Sequence, residues 1–537
     1  MKMPVWLAFL LLSPITSVFA ADAEKEPQLG RVDFPVDCTP AAQQQFTRAV
    51  AILHSFWYEE ATKAFTAVTE TDPNCAMGYW GVAMSYWTPL WGPPNQAALE
   101  AGSAAVAKAL SMGGKTEREQ GYIEAIASFY RDNDKADHRT RSVAYQKAME
   151  QLSARHPEDR EAAIFHALAL DATASPSDKT YTNQKQAAAI LEKIFAEQPD
   201  HPGVAHYLIH SYDSAPLAEH GVAAAICYSK IAPAVPHALH MPSHIFTRLG
   251  QWQSSIESNR AAAAAGQTYA LQEFGEGVAW AEALHAMDYL EYAHLQLGQD
   301  GEARKVLDRV QGFRKAVPES PAAAYALAAV PARYALERRD WAAAAQLTLP
   351  SAGLGWEKFP WTPTMVTFAR ALGAARTGNF EAAQNEIERL QSARDALMAK
   401  DKYWGSQIEV QRRAAAAMLT YARGNRDEGL AQMRDAAEFE GSIEKHPVTP
   451  GAIVPSRELL ADLLLESDQA AQALIEYERT LAAEPGRLRS LYGAAQAADR
   501  SGDRNKARDY YERLAELGRN ADTHRAEIIQ AKAYLDR

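Results

Sequence analysis

The sequence predicts an all-α protein built as an extended array of helix pairs. The chain has 537 residues, too many for one compact domain, which favours several domains or a repeat array. Alanine-rich runs such as AAAIL, AAAAAG and AAAAM, interspersed with Leu, Glu, Gln and Arg, form helices readily. Alternating runs of Val, Ile and Thr, which would indicate strands, are scarce.

The first twenty residues have the pattern of a secretory signal peptide. A basic residue precedes an apolar run from Val5 to Leu12, and a break at Ser13 and Pro14 leads to small residues before Ala21. The run is too short to span a bilayer comfortably, and we expect no membrane span in the mature chain. We therefore expect residues 1–20 to be removed on export, most simply to a bacterial periplasm, with an uncleaved anchor as the alternative.

Charge and cysteine content narrow the classes of partner. The formal net charge is -12 without long like-charged runs, which argues against a nucleic-acid binder because phosphate affinity needs clustered Lys and Arg. Three cysteines in an exported protein allow one disulfide and one free thiol.

Four stretches echo one motif: LGQWQSSIESNRAA (249–262), YEEATKAFTAVTETDP (58–73), GNFEAAQNEIERL (378–390) and SGDRNKARDYYERL (501–514). Between them they carry a turn glycine, an aromatic residue, alanines at helical spacing and a terminal proline. The chain thereby resembles the tetratricopeptide repeat family over most of residues 40–520. This resemblance implies a right-handed superhelical solenoid of tetratricopeptide-like helix pairs with a concave groove, but a fold does not specify a function.

The strength of the motif divides the mature chain into four segments. Residues 21–39 form a lead-in, and residues 40–310 form an N-terminal array that contains the His-rich groove. Residues 311–365 match weakly and are predicted to be a helical junction. Residues 366–537 form a C-terminal array.

Histidines are concentrated in one part of the N-terminal array. Nine of the fifteen lie between His201 and His294, where even spreading would give about three. Among them are two His-x-x-x-His pairs separated by one 34-residue repeat, which are His206 with His210 and His240 with His244.

The repeat register places the two pairs at matched positions. Counting Gly250 as the fifteenth residue of a unit starts that unit at Pro236 and the preceding one at Pro202. Each pair then occupies the fifth and ninth positions, which line the concave groove by the family resemblance. The same register predicts five further groove residues, which are Trp80, Trp87, His166, Arg248 and Tyr292.

This arrangement predicts a transition-metal site formed by His206, His210, His240 and His244. Residues four apart project from one helix face, and the first helices of adjacent repeats pack about 8–10 Å apart. Imidazole nitrogens accept Zn, Cu, Ni and Fe. Residues that could add ligands or orient the rings are Asp213, His237, His285 and Asp288.

Two observations leave alternatives open. Histidines at these positions could serve only in packing or hydrogen bonding. Pro242 lies between His240 and His244, so either a helix kinks there or a new helix starts near Met241 with Pro242 in its first turn. In the second case the i, i+4 relation fails for that pair, although the two side chains stay near each other.

The pattern supports three functional hypotheses. The first is an exported solenoid that binds a partner peptide or small ligand in its groove beside the His-coordinated metal. The second is a metal-dependent enzyme in which Asp213, Asp288 or Tyr292 transfers protons. The third is a metal-free assembly scaffold. No H-E-x-x-H, Gly-rich phosphate loop or G-x-S-x-G motif is present to name a reaction.

A disulfide is predicted between Cys38 and Cys75. Each cysteine lies just before the first helix of one of two successive N-terminal units, and stacking of repeats brings those helix starts together. Cys227 would then be the free thiol.

Overall fold

The computed structural model describes residues 27–537, and the predicted signal peptide at residues 1–20 lies outside them. The described chain contains twenty-six α-helices, three short 3-10 turns and a single two-stranded sheet. The predicted all-α fold class is confirmed. No helix within residues 27–537 is both long enough and apolar enough to cross a membrane.

The first eight helices pack as successive antiparallel pairs around a core rich in aromatic side chains. Cys38 and Cys75 are joined by a disulfide ahead of the first and third of these helices. The eight helices are α1 (Pro40–His54), α2 (Tyr58–Thr71), α3 (Ala76–Tyr86), α4 (Gln96–Met112), α5 (Glu117–Tyr130), α6 (His138–Arg155), α7 (Arg160–Ala172) and α8 (Thr182–Glu197).

The next group of helices carries most of the histidines. These helices are α9 (Pro202–Tyr212), α10 (Val222–Ile231), α11 (Pro236–His240), α12 (Pro242–Arg248), α13 (Trp252–Phe274), α14 (Ala281–Gln296), α15 (Asp300–Gly312) and α16 (Pro321–Glu337). The strands β1 (Val278–Trp280) and β2 (Lys315–Val317) pair in parallel on either side of α14 and α15 in the sequence.

The remaining helices are α17 (Trp341–Ala345), which precedes an irregular stretch that contains the 3-10 turn Trp356–Lys358, and the helices after that stretch, here called the C-terminal array. The helices of this array are α18 (Thr364–Arg376), α19 (Phe380–Met398), α20 (Lys402–Ala422), α21 (Arg426–Gly441), α22 (Ser456–Glu466), α23 (Ala470–Ala483), α24 (Leu488–Arg500), α25 (Arg504–Leu517) and α26 (Ala526–Leu535).

The turn between α12 and α13 shows why the repeat motif needs glycine at this position. Gly250 has φ +67°, and a Cβ placed on it would lie 2.4 Å from the carbonyl oxygen of Pro485. The residue must therefore adopt a left-handed conformation and also allow a close backbone approach. Both requirements exclude a side chain.

The C-terminal array folds back against the His-rich helices. The indole of Trp252 donates to the carbonyl of Gly486 at 2.8 Å, and the guanidinium of Arg525 is paired with the Asp300 carboxylate at 2.7 Å. Between α21 and α22, residues 442–455 form an irregular segment, here called the inner strap, that reaches the concave side of the His-rich helices. There the hydroxyl of Tyr289 donates to the carbonyl of Thr449 at 2.9 Å.

Candidate metal centre

Helix α9 brings His206 and His210 onto one face. It begins at Pro202, where a missing N–H is harmless, and the ring of His201 caps it by accepting the Val204 N–H at 3.3 Å. Residues four apart then converge, and the two Nε2 atoms lie 3.1 Å apart. His206 is fully buried, whereas His210 is partly exposed.

The second pair lies across a helix interruption. Helix α11 ends at His240 and α12 begins at Pro242, with Met241 between them in helical conformation at φ -53° and ψ -36°. Because the chain direction is nearly preserved through Met241, the Nε2 atoms of His240 and His244 still lie 3.0 Å apart. Both rings are buried.

Neighbouring elements add one imidazole to each pair. Nε2 of His237, in the first turn of α11, lies 3.2 Å from Nε2 of His206. His285 of α14 packs its ring against His240, with ring centroids 4.4 Å apart. The predicted cluster of four therefore divides into two triads, each with its three ligand atoms within 4.8 Å of one another, which are His206, His210 and His237 and then His240, His244 and His285.

Hydrogen-bond partners fix the tautomers of His206 and His237 in the first triad. Nδ1 of His206 lies 2.7 Å from the carbonyl oxygen of His54, which can only accept, so this nitrogen carries the proton. Nδ1 of His237 lies 2.8 Å from a carboxylate oxygen of Glu282 and donates to it. In the neutral rings the proton is on Nδ1, which leaves a lone pair on each Nε2.

In the second triad, the neutral rings of His240 and His244 also carry their protons on Nδ1. Nδ1 of His240 lies 2.6 Å from Oδ1 of Asn259, whose amide group donates to the Ser255 carbonyl at 2.8 Å. Nδ1 of His244 donates to the Asp213 carboxylate at 2.9 Å. Nε2 of His285 is buried and has no hydrogen-bond partner among the described residues.

These tautomers place unprotonated nitrogens opposite one another. The Nε2 lone pairs of His206 and His237 face each other at 3.2 Å, and those of His240 and His244 do so at 3.0 Å. While the rings are neutral, no proton is available to turn either contact into a hydrogen bond, because the proton of each ring lies on Nδ1. A cation between the nitrogens would convert this repulsion into coordination.

Protonation does not relieve the repulsion between His240 and His244 at neutral pH. Burial, reinforced by neighbouring histidines, lowers the pKa of His206 and of His240 well below the usual histidine value. Burial also lowers the pKa of His244, although the Asp213 carboxylate opposes the shift. His206, His240 and His244 are therefore in the neutral form, which is the form that binds metal.

In a third group, His54, Glu161 and His201, the ligand atoms lie close enough together to hold a metal, but hydrogen bonds already occupy them. Glu161 accepts from Nε2 of His201 at 2.8 Å and from Nε2 of His54 at 2.9 Å. The remaining Nδ1 atoms accept from the Val204 N–H and lie 2.9 Å from the Tyr207 hydroxyl. Every ring nitrogen has a partner of the right kind, so this group is a structural network beneath the first triad.

The other predicted site residues fall into different environments. Asp213 pairs with Arg248 at 2.9 Å and supports His244, whereas Asp288 lies 3.3 Å from Arg333 and belongs to neither triad. The hydroxyl of Tyr292 accepts from Arg487 at 2.7 Å. Residues that lie in or beside the aromatic core of the first helices are Trp80, Trp87 and His166, of which only His166 is partly exposed.

Several residues at the centre had no sequence signal. Lys445 and His446 come from the inner strap and lie beside the triads, because Lys445 pairs with Asp213 at 2.9 Å. Trp91 stands edge-on to His237 and His285, with ring centroids 6.0 and 5.2 Å away. Glu282 could have been placed beside His237 only by knowing that α14 passes this ring.

Comparisons with known proteins return structural likeness alone. No protein-family model matches the chain, and no curated protein sequence matches it. Among solved structures, a human IFIT1 dimer with m7Gppp-AAAA has 12% identity and a TM-score of 0.39, covering 82% of this chain and 90% of that one. Yeast Tom70 has 12% identity and a TM-score of 0.27, covering 92% of this chain and 95% of that one.

Proposed function

We propose that the chain is an exported helical-repeat protein that binds two transition-metal ions in adjoining three-histidine sites. The facing lone pairs carry this proposal. His206 and His237 in one triad, and His240 and His244 in the other, oppose unprotonated nitrogens at 3.0 to 3.2 Å. Six neutral imidazoles without a carboxylate ligand favour Zn, Cu, Ni or Fe over Mg or Ca.

The outer hydrogen bonds support the same assignment. Histidines that bind metals usually donate their other N–H to a carboxylate, carbonyl or amide, which orients the ring and raises its basicity. Four rings do so here, with acceptors from His54, Asn259, Glu282 and Asp213. The two sites adjoin, since the ring centroids of His210 and His244 are 5.8 Å apart.

Metal titration of untagged protein tests the proposal. After chelation and dialysis, at least one of Zn, Cu, Ni and Fe should bind at two ions per chain, measured by elemental analysis. His210→Ala should lose one ion, His240→Ala should lose the other, and His206→Ala combined with His244→Ala should lose both. His220→Ala, at an exposed position outside the triads, is the matched control. Failure to bind any of the four metals, or full occupancy in the double variant, would refute the proposal.

A metal-dependent enzyme is the second candidate, because three protein ligands leave a coordination position open. The proton-transfer residues suggested by the sequence are engaged elsewhere: Asp213 with Lys445 and Arg248, Asp288 with Arg333, and Tyr292 with Arg487. A reaction at this centre would therefore rely on metal-bound water or on the ligand itself. Turnover by loaded protein that disappears in His210→Ala would favour this candidate over simple binding.

A further inference from the structure

A cavity of about 1120 Å³ adjoins the first triad. His210 is part of its wall, together with Asp213 and the inner-strap residues Lys445 and His446. Trp91 also lines it and stands edge-on to one ring of each triad. Among the six metal-binding candidates, His210 is the partly exposed ring, so the cavity reaches the centre from its open side.

Flat aromatic surfaces dominate the rest of the lining. Half-buried or buried rings come from both halves of the chain, and Trp361 and Trp404 stack with centroids 3.5 Å apart. The seven aromatic residues of the wall are Tyr86, Trp91, Tyr181, Phe359, Trp361, Tyr403 and Trp404. Such walls accommodate a planar ring by offset or edge-to-face packing. The wall also carries carboxyl groups, among them Asp171, Glu319 and Asp401. Cavities that combine apolar surfaces with placed polar groups are typical of small-molecule sites.

Two polar groups near the first triad are donors, and they lie beside the carboxylate of Asp213. Nδ1 of His446 accepts the Val448 N–H at 3.1 Å, so the neutral ring carries its proton on Nε2. Lys445 presents an ammonium group, held by the Asp213 carboxylate at 2.9 Å. These donors match an oxygen acceptor on a ligand, at the end of the cavity nearest the open coordination position.

We infer that this cavity binds a small aromatic molecule that carries an oxygen donor, with its ring against the aromatic wall and its oxygen at the ion of the first triad. The inference rests on the proposed metal centre for the last contact. The aromatic wall and the donors Lys445 and His446 provide the rest of the site. The oxygen belongs to a phenol or to a carboxylate on the ring, and the two chemistries are separated by the choice of probe.

The test uses 4-nitrocatechol, whose absorbance reports both binding and coordination, with zinc-loaded protein. Ala174 lines the cavity, and Ala174→Phe should fill it and weaken binding of 4-nitrocatechol at least tenfold while zinc stays at two ions per chain. Ala223→Phe, at an exposed position on α10, should bind the probe as the wild type does.

Competition by benzoate would identify a carboxylate site, and failure of benzoate to compete would identify a phenolic one. Equal competition by cyclohexane-1,2-diol would refute the need for an aromatic ring.

Two further measurements keep the result decisive. If Ala174→Phe does not fold, as judged by circular dichroism, Ala98→Phe fills the same cavity from α4. If the protein binds no zinc, the metal proposal for zinc fails independently, and quenching of tryptophan fluorescence by 4-nitrocatechol in metal-free protein tests the cavity alone. Unchanged probe binding in the filled variant, or no quenching at all, would overturn the inference.

Discussion

Lys445 contacts Asp213 at 2.9 Å, on the same carboxylate oxygen that accepts the Nδ1 proton of His244. The two residues are 232 positions apart in the sequence. Burial would raise the pKa of Asp213, but Lys445 and then Arg248 outweigh it and hold that pKa well below its usual range. The inner strap therefore helps to keep Asp213 charged and able to orient a ring of the second triad.

Lys445→Ala should loosen the inner strap. Its anchor to Asp213 would be lost, which leaves Arg248 on Glu444 at 2.9 Å and Tyr289 on Thr449 at 2.9 Å among the contacts that hold the segment to the His-rich helices. We expect faster hydrogen exchange across residues 442–455, measured by mass spectrometry, with little change in α9. Lys402→Ala, at an exposed position, is the control. Exchange equal to that of the wild type would show that Lys445 is not an anchor.

Glu282→Ala should weaken metal binding at the first triad only. The substitution removes the acceptor of the His237 Nδ1 proton and frees the ring to rotate or change tautomer. Loss of such an outer partner typically lowers metal affinity about 10–100-fold. Calorimetric titration should then resolve two binding steps, one with weakened and one with unchanged metal affinity. Glu276→Ala, exposed and nearby in sequence, should leave both affinities as they are, and the prediction fails if Glu282→Ala does the same.

Glu458 should make stability depend on pH in the acid range. Burial would raise the pKa of its carboxyl, but Arg487 and then Arg339 outweigh burial and hold the pKa at about 2. A carboxyl with a depressed pKa stabilises the fold fully above its unfolded value, which is about 4.3, and loses this contribution as pH falls towards 2. The midpoint of denaturant unfolding should therefore decrease between about pH 5 and pH 2.

Glu458→Gln isolates this contribution. Breaking a buried ion pair by removing one partner costs about 3–5 kcal/mol, so the variant should be less stable at pH 7 and should depend less on pH below 5. Glu512→Gln removes an exposed pair with Arg508 and should cost less than about 1 kcal/mol. A Glu458→Gln profile parallel to that of the wild type would exclude the role assigned to this carboxyl.

Local sequence patterns predicted the helix ends better than they predicted the arrangement of the candidate metal centre. Pro202 and Pro236 start helices in the structure because proline suits the first helical turn, and Gly250 marks a turn that needs positive φ. The two His-x-x-x-His pairs meet because their spacing is itself local. The repeat register also named His237 and His285 as possible further ligands, but which pair each one joins, and the arrival of Lys445, depend on contacts between separate helices.

Replacing Cys38 and Cys75 together by serine should destabilise the N-terminal helices. The disulfide closes a loop with a sequence separation of 37 residues, for which the loss of chain entropy on cross-linking amounts to about 4 kcal/mol. Proteolysis and thermal unfolding of the double variant should show earlier loss of structure in α1 to α3, whereas Cys227→Ser, at the half-buried free thiol, should have little effect. Mass spectrometry of a non-reduced digest of exported protein should recover the two cysteines in one linked peptide pair. Both thiols free in that digest would contradict the disulfide, and with it one support for function in an oxidising compartment.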